Sequence, residues 1–359
     1  MRILFVNSYY FMPQSRGGLA RTLDQLARGL QARGHQVSAI AELKNNRDFF
    51  SLSRRIRLRL LRALGKAPII CDIQTGFRVL RCWRIEPVIR DAIDKERPDV
   101  IVVTGGRIVP IVRVIRALGI PIVLQVHDVE FKYLEGDFHE VADLPCVANS
   151  RFTAQRFNEA FGAHCDTILP FISLKDYEVQ SSRERVLFIH PEQKKGIEKA
   201  MEIVALCPEI PFTFVGRSTY ETLRSTLNLP DPDSVANLEV LPNMGDMREV
   251  YRRARILLVP SRWEEAFGRV VIEAQVSGIP VIASKRGGLA EAAQDGGILL
   301  SFDDPAQIWA QHLKRLWTDA GLYDDLSSKA RQSAQRRELT EAFQLDAHEA
   351  VLIAAVGRG

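Results

Sequence analysis

Glu265 and Glu273 stand eight residues apart in the run Pro260-Ser261-Arg262-Trp263-Glu264-Glu265-Ala266-Phe267-Gly268-Arg269-Val270-Val271-Ile272-Glu273-Ala274. The run follows a strand-like apolar stretch and ends in a helical one, so Glu265 falls in the loop and Glu273 on the helix. If residues 267–270 open that helix, their amides lack carbonyl partners and suit a diphosphate, while Glu273 can accept from two hydroxyls of a ribose or hexose. Two acids on a solvated helix face would be the plainer reading. Glu273, however, lies inside the apolar run Val270–Val276 and does not fit a surface position.

The next strand-like stretch, Pro280–Ala283, is followed by Lys285-Arg286-Gly287-Gly288 and then Glu291, a second strand, glycine and helix arrangement. Near the start of the chain Gly17-Gly18 precedes the helical pattern Leu19–Arg33. Glycines let backbone amides approach an anion closely, and a helix N-terminus favours negative charge. Taken alone, the pair reads more simply as a turn, and the dinucleotide fingerprint G-x-G-x-x-G is absent there. Asp231-Pro232-Asp233 has the D-x-D form of metal-dependent transferases, but its Pro-rich setting reads as a solvated turn. No His, Asp and Glu cluster has metal-ligand spacing, so no metal is expected.

The elements that must position these groups alternate along the whole chain. In the first half, strand patterns at Ile3–Asn7, Gln36–Ile40, Asp99–Val103, Pro121–Val126, Cys146–Asn149 and Thr167–Leu169 are separated by helices at Leu19–Arg33, Pro87–Glu96, Val109–Leu118 and Thr153–Ala160. A second series starts after Pro170, with strands at Val186–Ile189, Phe212–Val215, Leu238–Leu241, Ile256–Val259, Pro280–Ala283 and Ile298–Leu300. Its helices are Ile197–Leu206, Met247–Arg253, Val270–Ser277 and Pro305–Leu316. This order predicts parallel sheets covered by helices, hence an α/β chain of two Rossmann-like domains, residues 1–170 and 171–340. The polar stretch Ser173–Glu184 reads as the linker. The terminal helix Glu341–Val356 caps the second domain or crosses back, so that 341–359 join the first.

A chain of 359 residues with 46% hydrophobic and 26% charged residues has two cores and no disordered character. The five cysteines are odd in number and lack C-x-x-C spacing, which predicts reduced, structural thiols in a cytoplasmic protein. No apolar run reaches the roughly 18 residues of a membrane span. Residues 1–170 carry 25 Lys and Arg against 17 acids, and residues 171–359 carry 23 against 27. Residues 44–66 hold eight of those bases (Lys44, Arg47, Arg54, Arg55, Arg57, Arg59, Arg62, Lys66) and one acid, Asp48. On a helix Leu52, Ile56, Leu60, Ala63 and Leu64 share one side and Arg55, Arg59, Arg62 and Lys66 another. That pattern fits reversible docking on an anionic inner membrane face, or a crossover helix whose apolar stripe packs on its own domain.

Taken together, E-A-F-G-R-V-V-I-E-A at 265–274 and the G-I-P-V-I-A-S-x-x-G-G-x-x-E pattern at Gly278–Glu291 resemble the retaining glycosyltransferases of family 4, of GT-B fold. Gly17-Gly18, His127-Asp128, Ser150 in A-N-S-R, Lys195-Gly196, Val215-Gly216 and the stretch from Asn237 to Pro242 before Tyr251 extend the resemblance over nearly the whole chain. It implies two domains facing each other across a cleft, a nucleoside-diphosphate sugar on the second and a hydroxyl acceptor on the first, with no nucleic acid involved. Glu273 would hold the ribose and Glu265 the donor sugar. The amides of Phe267, Gly268, Arg269 and Val270 would bind the diphosphate, Lys195 would neutralise it, and Gly17 and Gly18 would close over it. His127 would lie near the reacting carbon, and Val240, Leu241 and Pro242 would border the base. The family commonly pairs that lysine with an arginine a few residues earlier. Here the chain reads Ile189-His190-Pro191-Glu192-Gln193-Lys194-Lys195, so His190 or Lys194 takes that place or it is empty. A retaining double displacement would need a carboxylate beneath the anomeric carbon, for which Asp128 and Glu265 are the candidates; the resemblance implies instead same-face transfer, in which the departing phosphate accepts the acceptor's proton. A GT-B nucleotide-sugar epimerase and a degenerate nucleotide-sugar-binding protein are the other readings.

Overall fold

Runs such as Val100-Ile101-Val102-Val103 are buried on both faces, as central strands of a parallel sheet must be when helices cover both sides. The computed structural model describes residues 1–15, 17–43 and 52–358, with the backbone alone for 52–55. The chain divides into an N-terminal unit, Met1–Phe171 with Thr340–Gly359, and a C-terminal unit, Ile172–Leu339.

The N-terminal unit runs β1 (Arg2–Tyr10), α1 (Gly18–Ala32), β2 (Gln36–Glu42), α2 (Leu52–Ala63), β3 (Ile70–Asp72), β4 (Arg78–Cys82), α3 (Ile89–Glu96), β5 (Val100–Thr104), α4 (Ile108–Arg116), β6 (Ile122–Val126), β7 (Cys146–Ala148), α5 (Arg151–Phe161) and β8 (Cys165–Thr167). Its strands lie in the order β3-β4-β2-β1-β5-β6-β7-β8, all parallel except β3, which is antiparallel to β4. Leu4 and Val6 point to the face that packs with Ile89, Ile111 and Ile115, whereas Ile3 and Phe5 point to the face covered by Leu23, Leu26 and Leu30 of α1.

The C-terminal unit runs β9 (Arg185–Ile189), α6 (Ile197–Leu206), β10 (Phe212–Val215), α7 (Arg217–Leu227), β11 (Leu238–Leu241), α8 (Arg248–Tyr251), β12 (Ala254–Val259), α9 (Arg269–Gln275), β13 (Val281–Ser284), α10 (Leu289–Ala293), β14 (Gly297–Leu300), α11 (Ala306–Thr318) and α12 (Ala320–Ala334). Its six strands are all parallel in the order β11-β10-β9-β12-β13-β14. The last helix, α13 (Glu341–Val356), belongs to the N-terminal unit. There the Gln344 amide donates to the carbonyls of Leu169 and Pro170, each at 3.1 Å, and Leu345 and Leu352 join the core under α1.

Three expectations need correction. The stretch Ser173–Glu184 is not a loose linker. Tyr177 is buried, the Val179 amide donates to Ser277 Oγ at 2.9 Å, and the Ser182 amide donates to the Arg252 carbonyl at 2.6 Å, so the segment is fastened to the C-terminal unit. The cysteines are not all reduced, because Cys146 and Cys165 are register partners on β7 and β8 and form a disulfide with Cα atoms 4.4 Å apart. Cys71, Cys82 and Cys207 remain free. Along α2 and the residue after it the apolar stripe does not pack inward: Ile56, Leu60 and Leu64 are exposed, while Leu58 joins Leu43 and Ile70 in a small core. Residues 44–51 of the basic segment lie outside the described residues.

Candidate functional site

In an open parallel sheet, a crevice forms at the carboxyl ends of the strands where the strand order reverses. In the C-terminal unit that place lies between β9 and β12, and the loops leaving these two strands touch. Gly196 (φ 81°) ends the turn after β9, and a Cβ there would stand 1.8 Å from the Pro260 carbonyl oxygen. The Lys194 carbonyl accepts the amides of Arg262 and Trp263, both at 3.1 Å. This docking carries the Lys195 ammonium onto Glu265, 2.6 and 2.8 Å from its two carboxylate oxygens, and Ser261 Oγ donates to Glu265 Oε1 at 2.6 Å. Glu265 is thus held by two donors that its place in the sequence does not reveal.

The loop after β13 closes the other side. The Gly288 amide donates to the Glu265 carbonyl at 2.6 Å, and a Cβ on Gly287 would strike the Glu265 backbone at 2.3 Å. Phe267 is buried, Gly268 (φ 103°) rests on Leu289, and α9 begins at Arg269, so the amides of Gly268, Arg269 and Val270 fall in a first turn without i−4 carbonyls. Four residues on, Glu273 is buried. Tyr251 donates to its Oε2 at 3.1 Å, and the Arg269 side chain bonds Oε1 at 3.3 Å and reaches the Tyr177 phenol oxygen at 3.4 Å. A carboxylate offers about four lone-pair sites, so two bonds leave capacity for ligand hydroxyls.

At the far side of the same edge, Val240 is buried, Leu241 half-buried and Pro242 exposed. The Leu241 carbonyl accepts the Gly216 amide at 2.8 Å, and Gly216 sits so close to Pro191 that a Cβ would meet its Cδ at 2.6 Å. The loops after β9, β10 and β11 therefore lie side by side. His190 is exposed with φ 57°, and its amide donates to the Val215 carbonyl. Lys194 is turned over the Trp263 ring, 5.4 Å from its centroid. Asp233 accepts from Arg217 at 2.7 Å, and Arg224 reaches Asp231 at 3.1 Å, which accounts for both acids of the D-x-D as partners of α7.

The corresponding edge of the N-terminal unit is looser. Gly17 and Gly18 are exposed at the start of α1, and a Cβ on Gly17 would meet nothing nearer than Ser15 Oγ at 3.6 Å. His127 follows β6, half-buried, with its carbonyl accepting from Asn149 Nδ2 at 3.3 Å. It lines a cavity of about 150 Å³ together with Tyr9, Thr104, Gln125, Asp128 and Tyr133. Burial first, then the charges of Asp128 and Glu130, hold the Tyr9 phenol above its ordinary pKa. Beyond the β1 and β5 ends, Arg107 is buried among acids, bonding Glu42 at 2.6 Å and also Glu86, with Glu135 at 3.4 Å. A larger cavity, about 480 Å³, opens where strands begin, at Arg2, Gln36 and Arg78, and none of the residues singled out above lines it.

Residues 175–333 match the family model of the glycosyl transferases group 1, and residues 17–170 match that of the glycosyl transferase 4-like domain. Sucrose-phosphate synthase of Thermosynechococcus elongatus superposes with a TM-score of 0.75 at 19% identity over 99% of this chain and 100% of that one. HepE of Anabaena, solved in complex with UDP, superposes equally well, at 0.75 and 18% identity, over 99% and 100% of the two chains. A D-inositol 3-phosphate glycosyltransferase of Salinispora arenicola is 44% identical over 96 residues, which is 26% of this chain and 21% of that protein. The match thus spans about a fifth of the length of this relative and of a second one from Streptomyces bingchenggensis, and 40% of a Klebsiella pneumoniae relative. Two parallel-sheet α/β domains of this order define the GT-B class. The chain belongs to the GT-B glycosyltransferases of family 4 type.

Proposed function

We propose that the enzyme moves a sugar from a nucleoside-diphosphate sugar to a hydroxyl acceptor with retention of anomeric configuration and without a required metal. The observation that carries this reading is the Lys195–Glu265 pair at the β9/β12 crossover. An arriving diphosphate competes with Glu265 for the Lys195 ammonium. Once the ammonium turns to phosphate, Glu265 is released to accept donor-sugar hydroxyls, so binding the donor rearranges the pair into its working form. Glu273 takes the ribose hydroxyls, the first turn of α9 the diphosphate, and residues 240–242 the base. Solved relatives hold UDP and UDP-glucose, which supports a nucleotide sugar as donor.

In the proposed step the bond from the anomeric carbon to the diphosphate oxygen breaks and a bond to the acceptor oxygen forms on the same face. The acceptor's proton passes to the departing phosphate. Negative charge grows on the leaving group, and Lys195 with the amides of α9 supplies the stabilisation a metal would otherwise provide. The acceptor is placed on the N-terminal unit beside His127. The exposed Ile56 and Leu60 of α2 and Leu64 just after it, interleaved with Arg57, Arg59 and Arg62, support docking at an anionic bilayer and a glycan or glycolipid acceptor.

A thermal-shift screen of nucleotides and nucleotide sugars, followed by NMR of the product's anomeric configuration in excess chelator, tests the reading. A stabilising UDP-type ligand and a product with the donor's configuration are expected. An inverted product or a strict requirement for added Mn²⁺ or Mg²⁺ would sink the mechanism, and release of a free epimerised sugar with no acceptor consumed would favour the epimerase alternative.

A further inference from the structure

Among the described residues the exposed phenylalanine, tyrosine and tryptophan side chains are Tyr9, Tyr10, Trp83 and Tyr133, each 40% exposed or more. All stand on one edge of one sheet. Tyr9 and Tyr10 end β1, Trp83 directly follows β4, and Tyr133 lies in the turn after β6, so each belongs to the carboxyl edge of the N-terminal sheet. A single ring left in water needs no explanation, but a row of them on the edge that bears the His127 cavity points to a partner with apolar faces.

Strand pairing sets the row out. Tyr10 is the register partner of Glu42 on β2, Glu42 is that of Cys82 on β4, and the Leu43 amide donates to the Cys82 carbonyl at 2.9 Å, so Tyr10 and Trp83 flank the end of β2. Tyr9 and Tyr133 close on Gly106, where a Cβ would stand 2.8 Å from the Tyr9 hydroxyl and 2.6 Å from the Tyr133 carbonyl oxygen. Polar groups are interleaved with the rings. The β2 end carries Glu42, held by Arg107 at 2.6 Å, and Asp128 lines the cavity with Tyr9 and Tyr133. Aromatic faces alternating with phenols and carboxylates match the C–H faces and hydroxyls of sugar rings, whereas an acyl chain has no hydroxyl to offer them.

At its β6 end the row runs into the cavity of about 150 Å³, where Thr104 Oγ1 and Gln125 Oε1 are buried without a hydrogen-bond partner. That volume is well below the roughly 300–1,000 Å³ of pockets that enclose drug-sized ligands, so it takes one ring and leaves the next outside. The strand order β4-β2-β1-β5-β6 makes four steps from Trp83 to the cavity, about 19 Å at about 4.8 Å each. A pyranose built of bonds of about 1.5 Å spans about 5 Å, so the edge has the length of about four linked rings.

We infer that the acceptor is a glycan chain of three or more rings, with its terminal ring in the cavity and the following rings laid across the ends of β1, β2 and β4 on Tyr10 and Trp83. The inference rests on the N-terminal unit taking the acceptor, and it adds the acceptor's size and a subsite remote from the reacting carbon. Tyr10 and Trp83 hold the chain without touching the transferred sugar, so they set which acceptor length is used.

The test offers an array of linear glycans of one to six rings, in several compositions, with UDP-sugar donors and mass-spectrometric detection of product. For the composition used best, kcat/KM should rise at least about tenfold from one ring to four and then level off. Truncating an aromatic anchor removes much of the binding it supports, so the gain should disappear, through KM, in Trp83→Ala and independently in Tyr10→Ala, with melting temperature and stabilisation by UDP unchanged. Equal use of one-ring and four-ring members, a gain that survives in both folded variants, or transfer to no glycan of the array would overturn the inference. So would loss of vesicle binding in these variants with the length dependence intact, which would make the row a lipid contact. Failure of the underlying reading looks different: no stabilisation by UDP and no UDP release from any donor.

Discussion

The two strand-end regions are built on different plans. In the C-terminal unit the two carboxylates and the lysine singled out from the sequence are already bonded: Lys195 to Glu265, Glu265 to Ser261, and Glu273 to Tyr251 and to Arg269 of its own helix. Glycines fill places where a methyl group would strike backbone, at Gly196, Gly287 and Gly288. In the N-terminal unit Gly17 has room for a side chain, Tyr9 and Tyr133 are 40% and 56% exposed, and the cavity is lined by polar atoms with bonding capacity to spare. A site built around a fixed ligand can be closed in advance, because the same groups always meet the same atoms. One that meets varied partners retains adaptable side chains on a rigid sheet edge.

The most severe break of this contrast uses its glycines. Gly196→Ala puts a Cβ into the Pro260 carbonyl at 1.8 Å with the backbone at φ 81°, so the loops after β9 and β12 must separate. A loss of about 4 kcal/mol or more is expected, read as a drop in melting temperature or as insoluble expression. Gly17→Ala, at φ −66° with its nearest neighbour 3.6 Å away, should change stability by less than about 0.5 kcal/mol. Equal damage from both substitutions would erase the distinction between the two edges.

The N-terminal unit is also set apart by a buried histidine. His348 on α13 donates from Nδ1 to the Gln344 carbonyl at 2.8 Å, and burial holds its pKa down at about 4. An unfolded histidine titrates near 6.5. Below that pH the unfolded chain takes up a proton that the folded chain refuses until about pH 4, so stability falls as pH drops through this window, by about 3 kcal/mol in total. His348→Leu should flatten this acid limb in calorimetry between pH 7 and pH 4.5. An unchanged limb would assign the acid sensitivity elsewhere.

A smaller effect is expected from Glu273→Gln. The neutral amide weakens the bond from Arg269 and any bond from ribose hydroxyls, each charged hydrogen bond contributing about 1.5–3 kcal/mol. Donor affinity should fall more than tenfold while the chain stays folded. Donor affinity unchanged to within twofold would remove Glu273 from the ribose and leave it as the partner of Tyr251 and Arg269. Lys195→Met divides differently, since charge builds on the leaving group only in the transition state. Turnover should fall at least about a hundredfold with a lesser change in donor binding.

What the sequence allowed one to read follows the same division. Strands such as Phe212–Val215 and Val281–Ser284 are apolar runs bounded by Pro and Gly, and the i,i+4 relation of Arg269 to Glu273 lies within one helix. By contrast, β4 is disguised by Arg78 and Arg81. The latter is wholly buried because Asp72 and the Met12 carbonyl meet its guanidinium, a pairing local pattern does not announce. The polar helices α7 and α12 are hard to read for a similar reason: α7 buries Tyr220 among polar residues, and the buried face of α12 mixes Tyr323 and Leu326 with Ser327, Ala330 and Ser333. The Lys195–Glu265 bond joins residues 70 apart and exists only because β9 and β12 are neighbours, and the Cys146–Cys165 bridge likewise depends on the pairing of β7 with β8. Ser261, Tyr9 and Tyr133 carried no motif. Position at or just after the carboxyl end of a strand is the signal that would have found the first two.

The least disruptive change tests whether the open edge of the N-terminal unit is matched by an outward-facing helix that meets lipid. On α2, Leu58 is 3% exposed and fixes the helix to the domain, whereas Ile56, Leu60 and, one residue past the helix end, Leu64 are 47%, 56% and 68% exposed. Arg57, Arg59 and Arg62 are exposed alongside them and have no acidic neighbour within the helix. Three bases near an anionic bilayer contribute about 1 kcal/mol each, and burial of the leucines adds to it, so reversing all three charges should abolish binding. Folding should hardly notice, because surface substitutions of this kind stay within about 0.5 kcal/mol. The wild-type chain should sediment with vesicles of phosphatidylcholine and phosphatidylglycerol at low salt and be released at 0.5 M salt. Its Arg57/Arg59/Arg62→Glu form should stay in the supernatant, and Leu60→Ser with Leu64→Ser should lower partitioning without changing its salt dependence. Failure of the wild-type chain to bind at low salt would leave the exposed leucines unexplained by lipid and move the acceptor into free solution.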